Sequence, residues 1–501
     1  MSNISKIKIV NTIGPSITQK IWDKEIYKQN PEMVAKAKKM CEEIIIAGSN
    51  VARFNFSHGS VEEHTIRIEL LREASKKLNV PYSFLLDTKG PEIRVCKFPD
   101  DGILYEKGSK ITIYTLKKNI GTKQSFCVYD ATGKYNMAKD VKVGNKILVE
   151  DGKLILVVDK VNVKDGIIIA TALNNHVVKT NKRINLPGAT YTMPFVSAKD
   201  KQDVILACKL NLDYVAPSFV NNAKNVQEIR NILNKNGGKN IKIISKIEST
   251  EGIKNLDEII KVSDGIMVAR GDLGIEIPYY EVPYYQEEMI RKCRRANKPI
   301  IVATQMLDSM EKSLLATRAE TTDVYVAGKW GTDATMTSGE TAQGQYPINV
   351  IKTMKRINQE SQNNFCYMNA IEKFNEMASY TKLDSKIKKQ CLDIAKLAMP
   401  KNSGTNQALF PYECLIIFEN NEKLINAISN IRPGASIIAV IDDKKLYNKF
   451  GLNYGIFTYL VEDLKTAKAN YKKITKNALT HYSINSKKSI AYINNKALKL
   501  A

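Results

Sequence analysis

The sequence predicts an α/β protein: a (β/α)8 barrel of the TIM type, an inserted small β-barrel lid and a C-terminal α/β domain. Three observations predict it. Eight short apolar runs end in polar residues, amphipathic segments separate most of them, and a gap of about a hundred residues interrupts the series after the third run. The runs are 6–14, 50–57, 82–90, 212–219, 241–249, 264–272, 299–306 and 333–341, and the helical segments include 32–46, 61–77, 226–234, 256–262 and 284–296. Such alternation requires a parallel sheet covered on both faces, and eight repeats close it into a barrel. The gap is too long for a crossover. Within it, 107–116, 144–149, 153–158 and 166–173 read as short strands with turns at Asp151-Gly152 and Asp165-Gly166, hence a small β domain over the barrel mouth. A helix at 385–397 and strands at 414–418, 435–441 and 489–493 then predict a third unit. The expected divisions are 1–91 and 194–364 for the barrel, 92–193 for the lid and 365–501 for the C-terminal domain.

Composition bounds the function class. With 501 residues, 44% hydrophobic and 25% charged, the chain is long enough for a large core and too apolar for disorder. A small disulfide scaffold is excluded. No apolar run approaches the length of a membrane span, and residues 1–10 carry no signal-peptide core, so a cytoplasmic protein is expected. The 75 Lys and Arg against 52 Asp and Glu leave a formal charge of +23, which favours anionic partners. Eight cysteines without a CxxC pair suggest neither a zinc site nor a thiol-redox motif, and fit a reducing compartment.

In a barrel of this kind the chemistry sits where strands end, and those ends carry Ser57, Asp87, Glu248, Asp272, Thr304 and Ser338. In the second run, Arg53, Asn55 and Ser57 share one face by the period of two, so Arg53 can reach an anion beside two neutral oxygens. Asp87 and Thr88 add two more oxygens. Four such ligands without a dense carboxylate cluster suit a monovalent cation. Lys246 and Glu248 share a face of the fifth run, with Asp272 at the end of the sixth; two carboxylates suit Mg2+ (or Mn2+), and the lysine would stabilise developing negative charge. The competing reading of Lys246 and Glu248 is an ion pair that only holds the barrel together. Residues 270–274, RGDLG, form a turn whose N–H groups could take a carboxylate or phosphate. No P-loop or Rossmann glycine motif occurs, so a nucleotide would be held by side chains and the lid.

Long motif runs identify a resemblance over nearly the whole chain. They are NTIGPS at 11–16, NVARFNFSHG at 50–59, LDTKGPEIR at 86–94, ISKIE at 244–248, DGIMVARGDLG at 264–274, ATQM at 303–306 and TRAE at 317–320. The chain resembles the pyruvate kinases, most of all the mollicute branch, on its Lys- and Asn-rich composition and the segment 21–30. The resemblance implies a Mg2+- and K+-dependent reaction of phosphoenolpyruvate with ADP giving pyruvate and ATP, and a homotetramer. It implies that Arg53 and Lys246 contact the transferred phosphoryl group, that Glu248 and Asp272 hold Mg2+, and that Asn55, Ser57, Asp87 and Thr88 hold K+. Gly271 and Asp272 would bind the substrate carboxylate, with Thr304 beside it in proton delivery and Ser338 supporting the pocket. Asn55, Ser57, His58, Arg94 and Lys182 would meet the nucleotide. Glu92 matches the acidic residue of K+-requiring members.

Departures from the family are visible too. Arg183 stands where relatives commonly have Gly, adding a positive charge to the lid. After 415–418 the chain reads Glu419-Asn420-Asn421-Glu422, where members activated by fructose 1,6-bisphosphate have a Ser/Thr-Gly-rich phosphate loop; two carboxylates repel phosphate, so that activator is not expected. Two rival readings remain at this level: another phosphoenolpyruvate-using, Mg2+-dependent barrel enzyme, or a basic nucleic-acid-binding protein without activity. Neither a zinc finger nor an aromatic RNA-binding motif supports the second.

Overall fold

The computed structural model describes residues 4–19, 24–365, 367, 370–398, 411–484 and 486–499. Residues 21–23 of the segment singled out above, and Cys366, lie outside these. Eight strands close a barrel: Lys8–Thr12, Val51–Asn55, Ser83–Asp87, Tyr214–Ala216, Lys242–Ile247, Gly265–Ala269, Ile300–Ala303 and Ala334–Thr337, each parallel to its neighbours in chain order. The last pairs with the first, Lys8 opposite Ala334. Alternate residues of each strand face opposite sides. Ala52, Phe54 and Phe56 pack with Phe84, Leu86, Ile243 and Ile247 in the layer shared with the helices, whereas Val51, Leu85, Tyr214, Ile244, Met267 and Ile301 form a separate apolar cluster inside the barrel. Helices missing from the sequence expectation, Ala198–Lys209 and Arg318–Trp330, each start on a capping box, Ser197 with Asp200 and Thr317 with Glu320.

Between the third and fourth barrel strands the chain forms a second closed barrel of seven strands around an apolar interior that includes Ile93, Phe126, Ile147, Leu156 and Ile168. Its strands are antiparallel except for Lys110–Tyr114 beside Ser125–Tyr129. Cys96 and Cys127 lie opposite one another, just past the pairing of Val95 with Val128, and form a disulfide. Their separation of 31 positions hides that proximity in the sequence. Cys41, Cys208, Cys293, Cys391 and Cys414 are buried thiols.

The C-terminal unit is a five-stranded sheet in the order Ile456–Leu460, Ser436–Ile441, Cys414–Phe418, Ser489–Ile493 and Lys496–Lys499, parallel except for the last. It seals the N-terminal end of the large barrel. Leu452 enters the interior apolar cluster, Tyr214 donates its hydroxyl to the Lys449 carbonyl at 2.9 Å, and buried Arg432 pairs with Asp333 at 2.9 Å. The loop after Cys414–Phe418 is engaged by the protein's own groups: Glu422 pairs with Lys242 of the barrel at 2.9 Å and with Lys449 at 2.5 Å.

Candidate active site

With its lower end sealed, the barrel presents a polar layer at its C-terminal mouth. Continuing inward from Val51 on the same face of the strand comes Arg53; from Leu85, Asp87; from Ile244, Lys246 and then Glu248. Period two therefore stacks charge directly above the apolar interior. These four side chains form one buried chain. Arg53 Nε donates to Asp87 Oδ2 at 2.6 Å, Lys246 Nζ donates to Asp87 Oδ1 at 2.9 Å, and the same Nζ lies 3.1 Å from Glu248 Oε1. Arg53 Nη1 also donates to Thr12 Oγ1 at 2.7 Å, and Lys246 to Ser218 Oγ at 2.7 Å.

The electrostatics hold Lys246 and Asp87 in their charged forms and push Glu248 the other way. Burial works against the Lys246 ammonium, but Asp87 and Glu248 outweigh it and hold its proton above the ordinary lysine range. Burial likewise opposes the Asp87 carboxylate, and Arg53 with Lys246 overcomes it, so its pKa lies below the usual value. Glu248 goes the other way: burial raises its pKa to about 7, helped by Asp272 and Asp87 and opposed by Lys246. Its Oε2 accepts the Phe219 N–H at 2.7 Å, while Oε1 is buried outside hydrogen-bonding geometry with any donor among the described residues. A buried carboxylate oxygen met only by the Lys246 ammonium, without a hydrogen bond, has capacity left for a further cation. Among the described residues no group of three or more His, Cys, Asp and Glu is placed to hold a metal.

Asp272 departs from expectation in its local structure. The sixth strand stops at Ala269, and Asp272 lies in the first turn of the helix Arg270–Glu276. Its carboxylate pairs with Arg183 of the lid. The Gly271 N–H, expected to take a substrate carboxylate, donates to Thr304 Oγ1 at 2.7 Å. Thr304 has φ +69° and Gln305 +52°, backbone values that a β-branched residue adopts only when its surroundings fix them. Arg270 does the fixing: its guanidinium donates to the Thr304 carbonyl at 2.6 Å and the Ala303 carbonyl at 3.2 Å while Asp323 holds its far side at 2.6 Å. The sequence pattern gives Arg270 no role of its own, although it opens the RGDLG turn. Ser338 follows the eighth strand; its Oγ is buried without a hydrogen-bond partner among the described residues, and its N–H donates to Glu340 at 2.6 Å.

The oxygen-rich group is split by the strand end. Asn55 pairs in register with Asp87, but the strand ends there, so Ser57 lies in the following turn rather than on the shared face; its N–H donates to Asn55 Oδ1 at 3.1 Å. Thr88 is buried and its Oγ1 accepts the Ser218 N–H at 3.2 Å. His58 is exposed in that same turn. Arg94 and Lys182 belong to the lid. Arg94 forks onto Glu92 at 2.8 and 3.0 Å and donates to the Asn181 carbonyl, and Lys182 donates to Glu150 at 2.9 Å. Burial opposes the Glu150 charge, yet bonds from Lys182, His176 and Lys153 hold its pKa at about 2.

The family described as pyruvate kinase, barrel domain, matches residues 4–351. A pyruvate kinase of Mycoplasma pneumoniae is 43% identical over 488 residues, covering 96% of this chain and 95% of that protein; one of Mycoplasma genitalium is 42% identical with the same coverage. Among solved structures, a pyruvate kinase from Cryptosporidium parvum superposes with a TM-score of 0.85 at 32% identity, covering 99% of this chain and 96% of that one. A barrel with a charged mouth, a β lid and a C-terminal α/β unit, matched end to end in this way, means that the chain belongs to the pyruvate kinase family.

Proposed function

We propose that phosphoryl transfer from phosphoenolpyruvate to ADP takes place at the Arg53, Asp87, Lys246, Glu248 chain, which is the observation that carries this reading. The family's reaction, the last ATP-forming step of glycolysis, breaks the bond between phosphorus and the enol oxygen and forms one to a terminal oxygen of ADP. Such transfer needs positioning and charge stabilisation rather than an enzyme nucleophile. Arg53 and Lys246 face the transferred group and neutralise charge on it and on the enolate left behind. The N–H groups of Gly271 and Asp272 hold the substrate carboxylate once the Thr304 hydroxyl gives way, and Thr304 then stands beside the enolate for the proton step. Ser338 offers its free hydroxyl to that side of the pocket. His58, Arg94 and Lys182, with Asn55 and Ser57, hold the nucleotide as the lid covers it.

Family members use a divalent cation and K+. Here Glu248 and Asp272 are the proposed holders of Mg2+ (or Mn2+), which when bound screens charge between the phosphates. Asn55, Ser57, Asp87 and Thr88 are the proposed K+ ligands, with Glu92 as the acidic residue of the K+-requiring pattern. The substrates and products are phosphoenolpyruvate, ADP, pyruvate and ATP. We propose a homotetramer on family likeness, and neither a membrane nor a specific nucleic acid as partner; no helix among the described residues is long and apolar enough to cross a membrane. The cytoplasm, where glycolysis runs, is the proposed location, and the Cys96–Cys127 bridge is a feature that a reducing compartment disfavours. Fructose 1,6-bisphosphate is proposed not to activate, because Glu422 and its two lysines fill the loop with their own contacts; a marked fall in KM for phosphoenolpyruvate on adding it would overturn this.

The experiment is pyruvate formation from phosphoenolpyruvate and ADP with Mg2+, with K+ present and with K+ replaced by tetramethylammonium. Activity only with K+ supports both the reaction and the monovalent site. Equal activity in both removes that site, and no pyruvate in either removes the reaction.

A further inference from the structure

Arg183 ties the lid to the barrel at one of the two carboxylates assigned above to the divalent cation. It opens the lid strand Arg183–Asn185, and its Nη1 pairs with Asp272 Oδ1. The guanidinium is mostly buried and lies 4.8 Å from the centre of the Phe219 ring, so its position is fixed from a second side. Two residues along the same strand face, Asn185 Nδ2 donates to Glu276 Oε1 at 3.3 Å. Asp272 and Glu276 are four apart on one helix face. The strand and the helix therefore dock in register through two contacts, 183 on 272 and 185 on 276.

The chemistry at Asp272 makes this more than a packing contact. Asp272 and Glu248 are like charges when ionised, and drawing them onto one site requires positive charge. The protein's own cations supply it, Lys246 at Glu248 and Arg183 at Asp272, and the guanidinium keeps its charge at any working pH. A divalent cation at the same carboxylate meets both an occupied oxygen and a like charge. We propose that Arg183 is a cationic latch and positioning residue: it holds the lid on the barrel through Asp272 and competes with the divalent cation for that carboxylate, linking metal loading to lid position. This rests on the assignment of the cation to Glu248 and Asp272. By reciprocity, if the cation loosens the latch, the latch weakens the cation.

The test is Mn2+ binding to the free enzyme, without phosphoenolpyruvate or nucleotide, followed by electron paramagnetic resonance. Wild type is compared with Arg183→Gln, Arg183→Gly and, as a control on the site itself, Glu248→Gln. The latch predicts that both Arg183 variants bind Mn2+ tighter by roughly fivefold or more, at the lower end of typical coupling between sites. It also predicts a larger radius of gyration for both metal-free variants in small-angle X-ray scattering, because the lid swings away. Unchanged or weaker Mn2+ binding in folded Arg183 variants, with Glu248→Gln weakened, overturns the latch and leaves the metal site standing. Wild-type Mn2+ binding by Glu248→Gln overturns the metal site and the latch together.

Discussion

The two ends of the large barrel are built from the same eight strands and differ in almost every other respect. At the N-terminal end the interior is apolar, plugged by Leu452, and bolted to the C-terminal unit by Arg432 and Asp333. At the C-terminal end, two or four residues farther along the same strand faces, the interior holds Arg53, Asp87, Lys246 and Glu248 in one buried chain. Burial at the lower end is largely met by fixed protein partners, such as Asp333 and the Gly331 carbonyl on the Arg432 guanidinium, although Arg432 Nε too lacks a hydrogen-bond partner among the described residues. Burial at the upper end leaves Glu248 Oε1 and Ser338 Oγ without hydrogen-bond partners among the described residues, capacity that a substrate and its ions can use. One scaffold thus separates stability from chemistry along its axis.

Changes at either end test this separation. The largest effect is expected from Lys246→Met at the upper end, which removes the ammonium paired with both Asp87 and Glu248: turnover in pyruvate formation falls by at least about a hundredfold. Near-normal turnover would make the Lys246 ion pairs purely structural. At the lower end, Leu452→Ala opens a cavity beside a fully buried side chain and costs about 2 kcal/mol or more in urea unfolding. The folded enzyme keeps its kcat and KM; a fall in kcat matching Lys246→Met would erase the distinction between the ends.

A smaller effect concerns Lys8, also at the sealed end, whose ammonium donates to the Ile456 carbonyl at 2.5 Å and lies 3.6 Å from the Phe457 ring centre. Burial pushes its pKa down to about 7 from 10.5. The folded chain then binds fewer protons here than the unfolded chain between those values. Its contribution to stability is present above pH 10.5 and is lost as the pH falls toward 7. Thermal melts of Lys8→Met should rise less than wild type between about pH 7 and pH 9.5, and an identical rise would place the titration elsewhere.

Much of the upper end is legible in the amino-acid sequence alone, because parallel strands buried on both faces announce themselves as short apolar runs and period two assigns their faces. Arg53, Asp87, Lys246 and Glu248 can be read in that way. Asp272 can be named but not placed, since a strand that runs straight into a helix leaves no break in the pattern. Period two assigns Ser57 to a strand face that ends two residues earlier. The lower end is nearly silent: Leu452 looks like any leucine, and its role exists only through contact with strands hundreds of residues away. The same holds for Arg183 and Asp272, 89 residues apart, and for Cys96 with Cys127. The lid's strand Ser125–Tyr129 and the C-terminal strand Ile456–Leu460 escape a sequence reading because each is short and gains its identity from its neighbours.

The central claim is that the barrel mouth carries the chemistry while the lid holds the nucleotide and, through Arg183, its own place on the barrel. Proton delivery to the enolate, run backwards, exchanges the methyl protons of pyruvate with solvent, and it needs barrel residues alone. The decisive measurement is deuterium uptake into pyruvate from heavy water with Mg2+, K+ and inorganic phosphate, in wild type, Lys182→Ala and Lys246→Met. The account predicts exchange close to wild type in Lys182→Ala, whose ATP formation is impaired, and exchange lost in Lys246→Met. Exchange lost in Lys182→Ala, or retained in Lys246→Met, would contradict it.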